Sequence, residues 1–152
     1  MKLAFECEVG DVAAYIILRT GDLRDEKLHI LLYFCQIWSL QWDQHRLFAA
    51  KIAASSEGPR IEGIRESVAK RLGRSSKLGA SARDTVDRIL NFYGNKSAER
   101  LTELVFAEKP FQAAWLSKST GGGGEIGIKS IAAFANSRAN GLARTGSSTV
   151  TR

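Results

Sequence analysis

Apolar residues crowd into one stretch of the chain. Leu28, Leu31, Leu32, Cys35 and Leu40 recur near helical spacing, with Phe34, Ile37 and Trp38 beside them. That apolar face is too wide for a surface helix, so it predicts a central, mostly buried helix over about Leu23–Trp42. Asp22 can accept from the first free N–H groups, and Asp25 and Glu26 sit in the positive first turn. Tyr33, Gln36 and Trp38 carry polar groups, and each must find a partner if buried. Each therefore specifies the fold or joins a contact surface. Trp38 follows Leu31 by a heptad and is expected to continue the buried stripe. Gln36, about 160° from it on the wheel, is expected to face a polar seam, or solvent and a partner.

Around this helix the pattern predicts a bundle. Residues 1–10 fit a short strand or an irregular lead-in equally well. Asp11 is a plausible N-cap for a helix carrying Val12, Tyr15, Ile16 and Arg19, which Thr20-Gly21 ends. Asp43–Arg46 is a polar break. Leu47–Ala54 is ambiguous: its alanines favour helix, but it is short and lies between turn signals. Ser55–Pro59 is a turn cluster. From Pro59, residues Ile61, Ile64, Val68 and Leu72 mark an amphipathic helix with proline in its first turn. A basic, Ser/Gly-rich loop follows over Gly73–Ala80. Ser81 with Asp84 reads as the start of a helix carrying Val86, Ile89, Leu90 and Tyr93, which Gly94-Asn95 ends. Ser97 caps the next, with Leu101, Leu104 and Val105 inward. Pro110 interrupts it, and Phe111, Ala114 and Trp115 continue in a new element. Gly121–Gly124 reads as a hinge. Ile128, Ile131 and Phe134 suggest a last short helix. The globular domain is therefore assigned to residues 1–136. Residues 137–152 have little to bury and read as a disordered basic tail.

The chain has 152 residues, 44% hydrophobic and 25% charged, which suits one domain with a real core. No run is long enough to span a bilayer and no secretion signal is evident, so the expected location is cytoplasmic, with no membrane partner. Cys7 and Cys35 are then expected to be reduced thiols. The net charge of +6 favours acidic partners. Most of that excess comes from Lys129, Arg138, Arg144 and Arg152, after which or among which no acidic residue falls. The globular part is nearly balanced. Arg19, Arg24, Lys70, Arg71, Arg74 and Lys77 are interleaved with Asp22, Asp25, Glu26, Glu57, Glu62 and Glu66, a mixture that reads as solvated charge.

No stretch carries local chemistry. Gly122–Gly127 fits G-x-G-x-x-G in form, but it lacks a preceding strand and a downstream acid for a ribose. Gly127-Ile128-Lys129-Ser130 is out of register for a P-loop. His29 and His45 have no Cys or His at metal-ligand spacing. The expectation is no catalytic residue, no metal and no cofactor.

One resemblance is visible. Asp11–Ile16, then Leu28 and Leu31–Leu40, then Leu47-Phe48, then Gly58-Pro59, resemble the Panacea domain of SocA-like antitoxins and of phage- and mobile-element-associated proteins. Leu90, Tyr93-Gly94, Leu101, Leu104, Glu108, Pro110-Phe111 and Ala114 extend the likeness, which covers roughly residues 9–135. Val105-Phe106 stand where the family usually has threonine and histidine, Phe111 where it has tryptophan, and Ile30 where it often has lysine. The aromatic that often precedes the Gly-Pro is absent. These changes make polar positions apolar and fit a scaffold or binding domain better than an activity.

The resemblance implies a compact, mainly helical bundle with a short β-ribbon near Leu47–Ala54; periodicity alone leaves the ribbon undecided. It also implies an antitoxin that neutralises the toxin of an adjacent gene by direct protein contact, in some members as an adaptor to a Clp-type protease. Tight inhibition needs a few anchors in a desolvated patch, and the candidate toxin-binding residues are Tyr33, Gln36, Trp38, Trp42, Phe48, Gly58 and Pro59. The alternative is a nucleic-acid-binding or autoregulatory protein of a phage or mobile element, motivated by the basic tail.

Overall fold

The computed structural model describes residues 7–21, 25–43, 45–55, 58–64, 78–116, 125–127, 131 and 133. The fold is mainly helical. Helices α1 (Val9–Thr20) and α2 (Asp25–Asp43) are followed by a two-stranded antiparallel ribbon, β1 (Ile52–Ser55) and β2 (Gly58–Ile61). Then come α3 (Ala80–Tyr93), α4 (Ala98–Phe106) and α5 (Lys109–Leu116). Several expectations fall outside the described residues: the Asp22 cap, the lead-in at residues 1–6, and Arg24, Val68, Lys70, Arg71, Leu72, Arg74 and Lys77. The side chain of Trp115, the Gly121–Gly124 hinge, Ile128, Phe134 and the 137–152 tail lie there too.

Helix α2 is the axis of the bundle, as its pattern predicted. Leu28 and every residue from Ile30 to Ile37 are buried, and α1, α3, α4 and β2 all pack on it. Each large aliphatic or aromatic side chain buried this way contributes about 1.5–3 kcal/mol relative to exposure. Phe48 and Leu47, Ile52 and Ile61, Val86 and Ile89, Leu101 and Val105, and Phe111 fill the space around it.

The ribbon resolves the ambiguous segment. Ile52, Ala53, Ala54 and Ser55 pair with Ile61, Arg60, Pro59 and Gly58. Pro59 and Ile61 thus sit in a strand rather than in the first turn of a helix, a correction to the sequence reading. The ladder loses nothing at Pro59. The Ile61 N–H, two residues on, points away from β1 and donates to His29 Nδ1 at 2.8 Å. The missing N–H of Pro59 faces the same way. Gly58 holds φ at 108°, against Ile30, at the mouth of the hairpin.

Helix boundaries also shift. Glu8, not Asp11, is the N-cap of α1, and Asp11 lies in its first turn, where its charge suits the helix dipole. Gly79, not Ser81, caps α3. Ser97 caps α4 as expected, its Oγ accepting from the Arg100 N–H at 3.0 Å. Pro110 falls in the first turn of α5, where no intrahelical N–H is needed.

Candidate functional site

The hydroxyl and amide groups singled out on α2 are mostly committed to the fold. Gln36 is buried, and its amide is held by backbone at both ends. Its Oε1 accepts from the N–H groups of Leu47 at 2.8 Å and Phe48 at 3.3 Å, and its Nε2 donates to the Phe48 carbonyl at 2.8 Å. Tyr33 is buried and donates to Glu108 Oε1 at 3.2 Å. Phe48, Gly58 and Pro59 are buried as well. In this conformation five of the seven candidate contact residues are therefore covered by the protein itself. For four of them the reason is shared: the chain returning from α2 into the ribbon packs back onto α2, whereas Tyr33 is met by Glu108 beyond α4.

Trp38 and Trp42 differ, and they lie together. Their rings are 5.0 Å apart, Trp38 half-buried and Trp42 38% exposed. Trp38 does not complete the buried stripe as expected: it packs half-buried at the edge of the core, although Ser39 and Leu40 beyond it are buried. Its ring instead closes onto α3, with Nε1–H donating to Tyr93 Oη at 3.1 Å. Tyr93 stacks face to face on Phe34, centroids 4.1 Å apart and planes 1° apart. An aromatic chain thus runs from the core at Phe34 through Tyr93 and Trp38 to the surface at Trp42.

Helix α3 adds what the sequence reading missed. Phe92 is 64% exposed and meets Tyr93 edge-on at 4.8 Å. Arg88 lies over the Trp42 ring at 5.1 Å, and Lys96 over the Phe92 ring at 5.6 Å. Phe92 had a signal: it sits one position off the Val86–Ile89–Tyr93 stripe, so the wheel turns it away from the core by about 100°. Arg88 and Lys96 had none, because a cation over a ring depends on tertiary placement.

The opposite flank of α3 is tied to α1. Tyr15 Oη donates to Asp87 Oδ1 at 2.8 Å, and Arg19 lies 3.9 Å from the same carboxylate. Burial, and then this hydrogen bond, raise the Tyr15 hydroxyl above the usual phenol range.

Both cysteines are free. Burial, with Cys7 nearby as a lesser cause, pushes the Cys35 thiol far up, so it stays protonated and inert. His29 uses Nδ1 as an acceptor for the ribbon, as a structural histidine does. Among the described residues no group of His, Cys, Asp and Glu gathers for a metal ion, and no helix is long and apolar enough to cross a membrane. What the Trp38–Trp42–Phe92 surface offers is contact area: rigid apolar rings, each fixed from behind by packing, with cations at their faces.

No family model, curated protein or solved structure matches the chain.

Proposed function

We propose that this protein is an antitoxin that silences the toxin of an adjacent gene by direct protein contact, with Trp42 and Phe92 as the anchors and Trp38 beneath them. One observation carries the choice of surface: two large aromatics on neighbouring helices stand exposed while cations cover their faces and an aromatic chain holds them to the core. Binding energy concentrates in such rigid aromatic and arginine anchors. The Panacea-like segments Asp11–Ile16 and Leu28–Leu40 support the antitoxin reading, and delivery of the bound toxin to a Clp-type protease in the cytoplasm would extend it. Among the described residues a nucleic-acid role has less support, because Arg19, Arg88 and Arg100 each lie beside a carboxylate.

Co-expression with the product of the neighbouring gene tests the reading. The expected result is growth arrest by that product alone and recovery when this protein is present. A harmless neighbour, or a toxic one that this protein does not restrain, sinks it.

A further inference from the structure

The edge of β1 that faces away from β2 is already occupied. Ala53 pairs antiparallel with Glu125, and the Ile126 N–H donates to the Ile52 carbonyl at 2.7 Å. The occupant is anchored by Ile126 and by Ile131, both buried. A pairing this short is marginal by itself, since two-stranded β-structure owes its stability to what packs on it. In the sequence the segment follows four consecutive glycines, residues whose ordering costs the most backbone entropy.

An open cleft lies beside the seat. Its volume of about 170 Å³ lies between Arg46, Lys51 and Ile52 on one side and Glu125, Ile126 and Ile131 on the other. The cleft is open to solvent and wide enough to hold water, so a larger apolar side chain seated there would remove more apolar surface from water than isoleucine does. The polar rim is asymmetric: β1 and the chain leading into it contribute two cations, and the seated segment contributes the carboxylate.

We propose that this edge is a peptide-docking site whose intramolecular occupant is Glu125–Gly127, displaced by an extended segment of another protein carrying a carboxylate followed by a large aliphatic or aromatic residue. Main-chain pairing with β1 supplies affinity, and the cleft and its two cations supply selectivity. The site uses none of the aromatic-surface residues and does not rest on the antitoxin reading.

The full chain tests it with a fluorescent peptide of the sequence of residues 122–133, and with the same peptide carrying Ile126→Phe. Polarisation should show saturable binding of both, the Phe peptide tighter by roughly fivefold through its extra apolar area. Lys51→Glu in the protein should weaken both by about threefold at low salt. Ile126→Asp in the protein should leave α2 folded and raise peptide affinity about tenfold, because the internal competitor is weakened. In the unsubstituted chain, the Ile126 amide should exchange hydrogen far faster than the amides of Leu31–Phe34.

Unfolding of the Ile126→Asp chain, or an Ile126 amide as protected as those of α2, would make the segment an integral part of the core and overturn the proposal. Absence of saturable peptide binding to a folded Ile126→Asp chain overturns it too. A concentration-dependent dimer that the peptide cannot dissociate would assign the edge to a second copy of this chain, against the proposal.

Discussion

Gln36 and Phe48 exchange a pair of hydrogen bonds, the side-chain amide standing in for a β-strand neighbour. Oε1 accepts from the Phe48 N–H at 3.3 Å while Nε2 donates to its carbonyl at 2.8 Å. A primary amide has the same donor-acceptor pair as the backbone, so it satisfies a stretch of chain that no strand reaches. Gln36→Leu preserves much of the volume but strands these groups and the Leu47 N–H in the interior. The expected loss is about 3 kcal/mol or more, from roughly 1–3 kcal/mol for each buried polar group left unpaired. Urea denaturation measures it; an unchanged midpoint would mean the clamp is dispensable.

The exposed aromatics should behave in the opposite way. Trp42→Ala and Phe92→Ala remove surface rings, and each should cost no more than about 1 kcal/mol of stability. Both should abolish toxin neutralisation in the co-expression assay. Stable variants that still neutralise would move the contact surface elsewhere.

Trp38 sits between these cases. Trp38→Phe deletes the Nε1–H that meets Tyr93 Oη but keeps an aromatic ring. Its expected cost is about 0.5–1.5 kcal/mol for one hydrogen bond. A double-mutant cycle with Tyr93→Phe should show the two losses to be less than additive. Strict additivity would show that the bond contributes nothing.

His29 should resist substitution despite lying far from any reactive group. His29→Leu leaves the Ile61 N–H buried without its acceptor, at a cost of about 1–3 kcal/mol. Calorimetry should show a lower melting temperature for His29→Leu, and hydrogen exchange should show early opening of β2. Unaltered protection at Ile61 would refute the linkage.

Alkaline pH should destabilise the fold through Cys35. Its pKa is raised by burial above the ordinary 9.0 of a solvated thiol. Below that pH both states hold the proton and stability is at its full value. As pH climbs past it, the unfolded thiol ionises and the folded one cannot, so stability falls by up to about 1.4 kcal/mol per pH unit. Cys35→Ala should lower stability at pH 8 yet flatten the decline between pH 8 and pH 10. Parallel declines in the two proteins would clear Cys35 of the effect.

How far the sequence could be read depended on what each feature needs. Spacing alone located α1, α2, α3 and α4, because an apolar stripe is a local property. It also identified Ser97 as a cap. It misplaced the starts of α1 and α3 by three and two residues, where Glu8 and Gly79 act and Asp11 and Ser81 looked better. Pro59 suits both a first helical turn and an outward-facing strand position, and what separates them is His29, which accepts from Ile61 32 residues on in the chain. For Gln36 and Trp38 the wheel gave direction but not how far neighbouring elements extend along the axis. Trp38 points toward Tyr93 at the last residue of α3, whereas Gln36 points at the returning chain. Phe92 was legible in principle, but Arg88 and Lys96 needed the tertiary structure.

The two clamps on α2 also bear on the order in which the protein folds. Gln36 reaches partners only 11 and 12 residues on, and His29 reaches one 32 residues on. The ties from α2 to Tyr93 of α3 and to Glu108 span 55 and 75 residues. Short loops close at less entropic cost, so α2 and its ribbon can assemble as one contiguous hairpin-like unit before the later helices arrive. Pulse-labelled hydrogen exchange during refolding should then protect the Leu47, Phe48 and Ile61 amides ahead of those in α4. The segment that carries this protein's tightest polar bookkeeping would be the nucleus on which the rest of the bundle condenses.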